Sequence, residues 1–278
     1  MSPIWCGMPP GRRLGDRQSS AEGEIMSTVT PFRSNAALES EREARIELAA
    51  CYRLIAHFGL DDMVYTHISA RVPGEPEHFL INPYGLMFHE ITASSLVKID
   101  HDGNVVEPTD YPVNKAGFII HSAIHMARPE VNCVLHTHTR AGIALSCLDM
   151  GLLPLNQFSL MFHNRVAYHG YEGIALDLDE RERLIADLGE KPVMILRNHG
   201  LLTTGRSVPE AFALMHYLEQ SCRIQLDVLA SGRPYLLPEP EVQDKTGNQY
   251  LGDPVGAGLR EWPALLRILD RKDPSYRD

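Results

Sequence analysis

The stretch Val193-Met194-Ile195-Leu196 constrains the fold most. It is too short to be a helix and has no polar face, and it stops at Arg197-Asn198-His199-Gly200. A run of that kind belongs to a strand buried within a sheet. Other strand-like runs lie at 66–72, 78–81 and 94–100. Asn82-Pro83-Tyr84-Gly85 supplies a turn after the second, and Asp102-Gly103-Asn104 a hairpin signal after the third. A further strand at 131–135 enters His136-Thr137-His138. Between these runs the apolar residues recur at helical steps. Leu38, Ile46, Ala49, Leu54, Ile55 and Phe58 precede Gly59, which sits where a C-cap glycine belongs. Further helices are predicted at 114–127, stopped by Pro129, at 141–148, and at 180–188, closed near Gly189. Ser207-Val208-Pro209-Glu210 reads as a capping box opening a long helix. Strands mixed with helices predict one layered α/β domain over 36–232. Residues 1–35, rich in Gly, Pro, Ser and Arg without an apolar period, read as a disordered extension, with Met26 as an alternative translation start. Residues 233–278 read as a C-terminal arm with a short helix at 259–269. Its Trp262, Leu265, Leu266, Ile268 and Leu269 would pack either on a neighbouring chain or on their own domain.

The chemistry lies in the histidines, of which there are 13. His136 and His138 stand two apart on a strand, so both side chains leave the same face of the sheet and can occupy neighbouring vertices of one metal ion. His199 ends another strand. Three imidazoles with one position left open describe a catalytic metal site, since a structural zinc closes all four. His121 and His125 are one helical turn apart, a spacing that also suits a metal. Their neighbours Ile119, Ile120 and Ile124 favour a packed, hydrogen-bonded pair that orients the site from behind. His163, Tyr168, His169, Tyr171 and Glu172 fall in an aromatic, His-rich loop that could wall a pocket and supply protons. No phosphate-cradling glycine loop is present. The 26 basic residues against 36 acidic ones form no basic run, which speaks against a nucleic-acid partner. No apolar stretch reaches the roughly 18–20 residues of a membrane span. The five cysteines are scattered without CxxC spacing and read as reduced core residues of a cytoplasmic protein.

Arg128-Pro129-Glu130-Val131 leading to His136-Thr137-His138, followed by Arg197-Asn198-His199-Gly200 before a long helix, resembles the class II aldolase/adducin family. The family includes fuculose- and rhamnulose-phosphate aldolases, ribulose-phosphate epimerases and the head of adducin, and the resemblance covers 37–231. It implies a three-layer α/β/α sandwich around a mixed, largely antiparallel sheet, and a homotetramer. It also implies a divalent metal (zinc first, manganese or iron otherwise) on His136, His138 and His199. The departures shape the expected reaction. The aldolases' catalytic Glu falls on Gly117 of Lys115-Ala116-Gly117, their phosphate-cradling serines are missing, and their proton-donor tyrosine falls near Phe158. Thr66-His67-Ile68-Ser69 and Tyr84-Gly85 stand where the aldolases have Gly-Asn and Thr-Gly. These substitutions resemble the adducin-like bacterial branch. The expectation is a lyase cleaving a carbon–carbon bond in a small, non-phosphorylated oxo- or hydroxy-acid. Lys115, His67 and Tyr84 would contact that substrate, and His121, Tyr168 and His169 would move protons. Relatives on this scaffold leave three alternatives: decarboxylation, iron-dependent oxygenation, or an oligomeric binding module without chemistry.

Overall fold

The computed structural model describes residues 35–173 and 179–278, without the side chains of 35–38 and 115–118. The N-terminal extension and the Met26 start lie outside these residues. Among the described residues, one sheet contains β1 (His67–Val72), β2 (Glu75–Ile81), β3 (Val97–Asp100), β4 (Cys133–Thr137), β5 (Val166–His169), β6 (Val193–Leu196) and β7 (Gly200–Gly205). Their order is β3-β2-β1-β4-β7-β6-β5, and every neighbouring pair is antiparallel except the parallel β5–β6. The helices are α1 (Asn35–His57), α2 (Lys115–Ala127), α3 (Arg140–Ser146), α4 (Gln157–Leu160), α5 (Glu180–Leu188), α6 (Val208–Ala230), α7 (Pro240–Leu251) and α8 (Trp262–Lys272). Helices α1, α3 and α6 cover one face of the sheet and α2 and α5 the other, which makes the three-layer α/β/α sandwich around a mixed, mostly antiparallel sheet.

Alternation along each strand assigns side chains to the two cores. Cys133 and Leu135 of β4, Val193 and Ile195 of β6, and Leu201 of β7 join Leu54, Ile55, Leu214 and Leu218 on the α1/α6 side. Val134, Met194, Leu196 and Leu202 meet Ile120, Ile124, Leu184 and Leu188 on the α2/α5 side. With helices on both faces, β6 has no position facing water, which explains a run without a polar member.

Several sequence expectations are corrected. The strand placed at 131–135 runs two residues later, over Cys133–Thr137. The stretch read as an aromatic loop contains β5, whose four residues are too few for their alternation to stand out. β7 was passed over because Thr203, Thr204 and Gly205 read as a connection, although all six of its residues are buried. Helix α7, also unpredicted, carries little apolar signal and buries only Gly247. Cys147 is exposed, while Cys51, Cys133 and Cys222 are buried and, like it, free. Ser207 caps α6 at Glu210 N–H, but the Glu210 carboxylate reaches Arg206 N–H (2.7 Å) instead of closing the box on Ser207. Trp262, Leu269 and Tyr276 of the arm join the α1-side core, and Ala93 N–H and Ser94 N–H donate to the carbonyls of Tyr276 and Asp278. The arm therefore packs on its own domain.

Tyr52 ties α1 to the start of β1. It is fully buried, and its hydroxyl accepts the N–H groups of Ile68 (2.7 Å) and Asn82 (3.1 Å) while facing Ile68 C=O and Asn82 Oδ1. Tyr52→Phe strips two buried backbone donors of their acceptor. It is expected to cost about 1–3 kcal/mol, read as a lower urea midpoint at unchanged slope.

Candidate metal centre

One strand and two short connections bring the site together. His136 near the end of β4 stands opposite His67 of β1. His138 lies one residue beyond the strand, where the chain turns into α3. That turn is pinned from α6: Gly142 N–H donates to Thr139 Oγ1 (3.3 Å) and to Glu219 Oε2 (3.1 Å), and the Thr139 hydroxyl donates to the same buried carboxylate. His199 sits in the tight β6–β7 turn, where Leu196 pairs with Gly200 and Asn198 adopts φ 55°. Asparagine is one of the few non-glycine residues that tolerates this region. Gly200 lets the turn approach β4: a Cβ there would lie 2.4 Å from Thr137 O and 3.4 Å from the rings of His136 and His138.

The three rings converge. One ligand atom from each of His136, His138 and His199 lies within 4.8 Å of the others. His138 Nε2 is 2.9 Å from His136 Nε2 and 2.9 Å from His199 Nε2. Two nitrogens bound to one tetrahedral ion at about 2.0–2.1 Å stand about 3.3 Å apart, close to these separations. Protonation sharpens the point. His136 Nδ1 faces Leu201 C=O at 2.9 Å and His138 Nδ1 faces Asp62 Oδ2 at 3.0 Å. A carbonyl and a carboxylate only accept, so both rings carry their proton on Nδ1. The Nε2 atoms are left turned toward one another, an arrangement that suits a cation between the rings. Burial, with the neighbouring imidazoles, holds His136 well below the usual histidine range, and the same causes lower His199 to about 4. Both rings are therefore neutral donors at pH 7. The donor set fits a divalent ion, with a coordination position left open for substrate.

Asp62 was not singled out by the sequence, since no spacing rule connects it to His138. Its carboxylate fixes that ring's tautomer and orientation. Asp62→Ala is expected to weaken metal affinity about 10–100-fold in a competition titration against a chelator, with the fold intact.

The other predicted residues are distributed unevenly. His67 is buried, with its ring 5.2 Å from that of His136, and it follows Thr66, a β-branched residue at the strained φ of 67°. His121 is fully buried, its Nε2 lying 2.7 Å from His67 Nδ1. Tyr84 stands half-exposed in the turn after β2. The side chain of Lys115 lies outside what is described, and Gly117 falls in the first turn of α2. Tyr168 lies on the α1/α6 side of the sheet, away from His136, with its hydroxyl accepting Leu152 N–H (2.9 Å) and its ring under Arg197. His169 is buried with Nδ1 held by Asp187 (2.8 Å). The tyrosine beside the triad is Tyr171, exposed and edge-on to His199 at 6.4 Å, while Glu172 pairs with Arg183.

Comparison with known proteins gives a consistent picture. The family described as "Class II Aldolase and Adducin N-terminal domain" matches residues 46–226. An aldolase II superfamily protein from Pseudomonas syringae is 56% identical, with a TM-score of 0.82 over 86% of this chain and 96% of that one. The L-fuculose 1-phosphate aldolase of Glaciozyma antarctica is 31% identical, with a TM-score of 0.79 over 89% of this chain and 97% of that one. Alpha-adducin of Rattus norvegicus is 44% identical over 248 residues, which are 84% of this chain and 34% of that protein. Among the described residues, no helix is long and apolar enough to cross a membrane.

Proposed function

Because the chain belongs to the class II aldolase/adducin family, we propose that it is a metal-dependent lyase cleaving a carbon–carbon bond in a small, non-phosphorylated oxo- or hydroxy-acid. The observation that carries the reading is the convergence of His136, His138 and His199, with His138 Nε2 2.9 Å from the Nε2 of each of the other two. These three residues would hold the divalent ion, zinc by the all-imidazole donor set, with manganese or iron as alternatives. When bound, it supplies a positive centre that polarises a carbonyl or enediolate oxygen. Imidazole ligands add no negative charge of their own, which favours an anionic substrate. Lys115 at the start of α2 is suited to a substrate carboxylate where the phosphosugar enzymes use serines, and His67 and Tyr84 are the further substrate contacts of this reading. With Gly117 in place of the aldolases' Glu, proton movement falls to His121 acting through His67. His169, buried with Nε2 3.5 Å from Glu180 Oε1, is a further carrier. Tyr168, whose hydroxyl is taken up by Leu152, serves as support. A homotetramer is part of the proposal, checked by light scattering.

Elemental analysis of protein purified without a His-tag is expected to return a divalent metal in stoichiometric amount. Thermal shifts should then be larger with oxo- and hydroxy-acids than with their phosphorylated counterparts. Metal-free protein that binds none of the three ions on reconstitution would overturn the reading. The 44% identity to alpha-adducin favours a second reading, an oligomeric binding module. Stoichiometric metal without any response to small acids would select it.

A further inference from the structure

Behind the metal centre, four side chains form an unbroken polar chain within the layer between the sheet and α2. His67 Nδ1 lies 2.7 Å from His121 Nε2, His121 Nδ1 lies 2.6 Å from Ser69 Oγ, and Ser69 Oγ lies 2.7 Å from His125 Nε2. None of the four side chains is more than 4% exposed. A neutral imidazole carries one proton and a hydroxyl donates one, so the three bonds can be satisfied in only two ways. In the first arrangement every ring is protonated on Nδ1 and Ser69 donates to His125. In the second every ring is protonated on Nε2 and Ser69 donates to His121. The tautomers of three histidines on two different elements are thereby locked together.

We propose that His67, His121, Ser69 and His125 form a reversible proton relay serving the metal centre; this rests on the metal-site reading above. Starting from the first arrangement, a proton arrives at His67 Nε2. The Nδ1 proton of His67 passes to His121 Nε2, that of His121 to Ser69 Oγ, the hydroxyl proton of Ser69 to His125 Nε2, and the Nδ1 proton of His125 to water. The chain ends in the second arrangement with every group neutral. The reverse passage takes a proton in at His125 Nδ1 and delivers one from His67 Nε2. Carbon–carbon cleavage beside a carbonyl removes a proton from a hydroxyl and returns one to the carbanion. One forward and one backward passage therefore complete a turnover and supply what Gly117 cannot.

The distal end has the features of an outlet. His125 is buried with the Val131 carbonyl as a hydrogen-bond partner, His101 Nε2 is buried and has none among the described residues, and both rings flank Phe79, at 5.2 and 6.0 Å. His101 Nδ1 lies 3.2 Å from Glu77 Oε2, a largely exposed carboxylate.

Long-range proton–nitrogen NMR of the full chain with 15N-labelled histidine reads each tautomer directly. His67, His121 and His125 are expected to share one tautomer, or to interconvert with the same fraction in all three rings. Ser69→Ala should free the tautomer of His125 from those of His67 and His121, and Ser69→Thr should restore the coupling. Mixed tautomers in the wild type, an imidazolium at His121, or unchanged coupling in Ser69→Ala would overturn the relay. Metal content measured on the same samples separates the two readings. Ser69→Ala should keep its metal, whereas a wild type unable to bind metal overturns the lyase reading and leaves the tautomer result standing.

Discussion

His136→Ala/His138→Ala is expected to leave purification with roughly a tenth or less of the wild-type metal, because one remaining imidazole cannot hold a divalent ion against buffer and water. The fold should survive. The substituted rings sit at the end of β4 and one residue beyond it. Without ion, the variant should unfold at a somewhat lower denaturant concentration than the wild type, since the buried His136 ring and its bond to Leu201 are lost. With ion, the gap should widen, since a ligand bound only to the native state contributes about 2.7 kcal/mol at a concentration one hundred times its Kd. Elemental analysis and denaturation with and without ion check both halves. A double variant that keeps stoichiometric metal would place the metal elsewhere.

Gly200→Ala tests the same centre through the backbone. The added methyl would meet the Thr137 carbonyl oxygen at 2.4 Å, a backbone atom held in the β4–β7 ladder that cannot swing aside. Strands β4 and β7 must part locally, and His136, whose Nδ1–H is held by Leu201 on β7, must move with them. The expected stability cost is about 1–3 kcal/mol. Metal affinity should fall at least about tenfold, because a ligand loses its orienting acceptor. Gly170→Ala is the control, since nothing lies within 4 Å of a Cβ there. Urea denaturation and chelator competition on both variants give the comparison. Equal behaviour of the two would refute the steric account.

Legibility in the sequence followed the range of each interaction. The helices at 114–127, 180–188 and from Ser207 onward were readable because caps, breakers and helical periodicity act within a few residues. The buried strand at 193–196 was readable because helices on both faces leave it no polar position. β5 and β7 were not. Each is short, and each owes its strand state to a neighbour: β5 pairs in parallel with β6, and β7 lies between β4 and β6. The same limit governed the site. Tyr168 and His169, adjacent in the chain, looked equally eligible, but alternation sends them to opposite faces, and Tyr171 is the tyrosine that reaches His199.

What the amino-acid order determined by itself was the pair His136 and His138, and the capacity of the turn at Asn198 and Gly200 to present His199. These depend on the directions of neighbouring side chains and on backbone freedom. Only the tertiary structure decided that His199, 61 residues from His138, closes the triad. It also decided that Leu201 and Asp62 set the tautomers of His136 and His138, and that Ser69 joins His121 to His125. Hydrogen bonds between strands and across layers depend on register and packing depth, which no local spacing encodes.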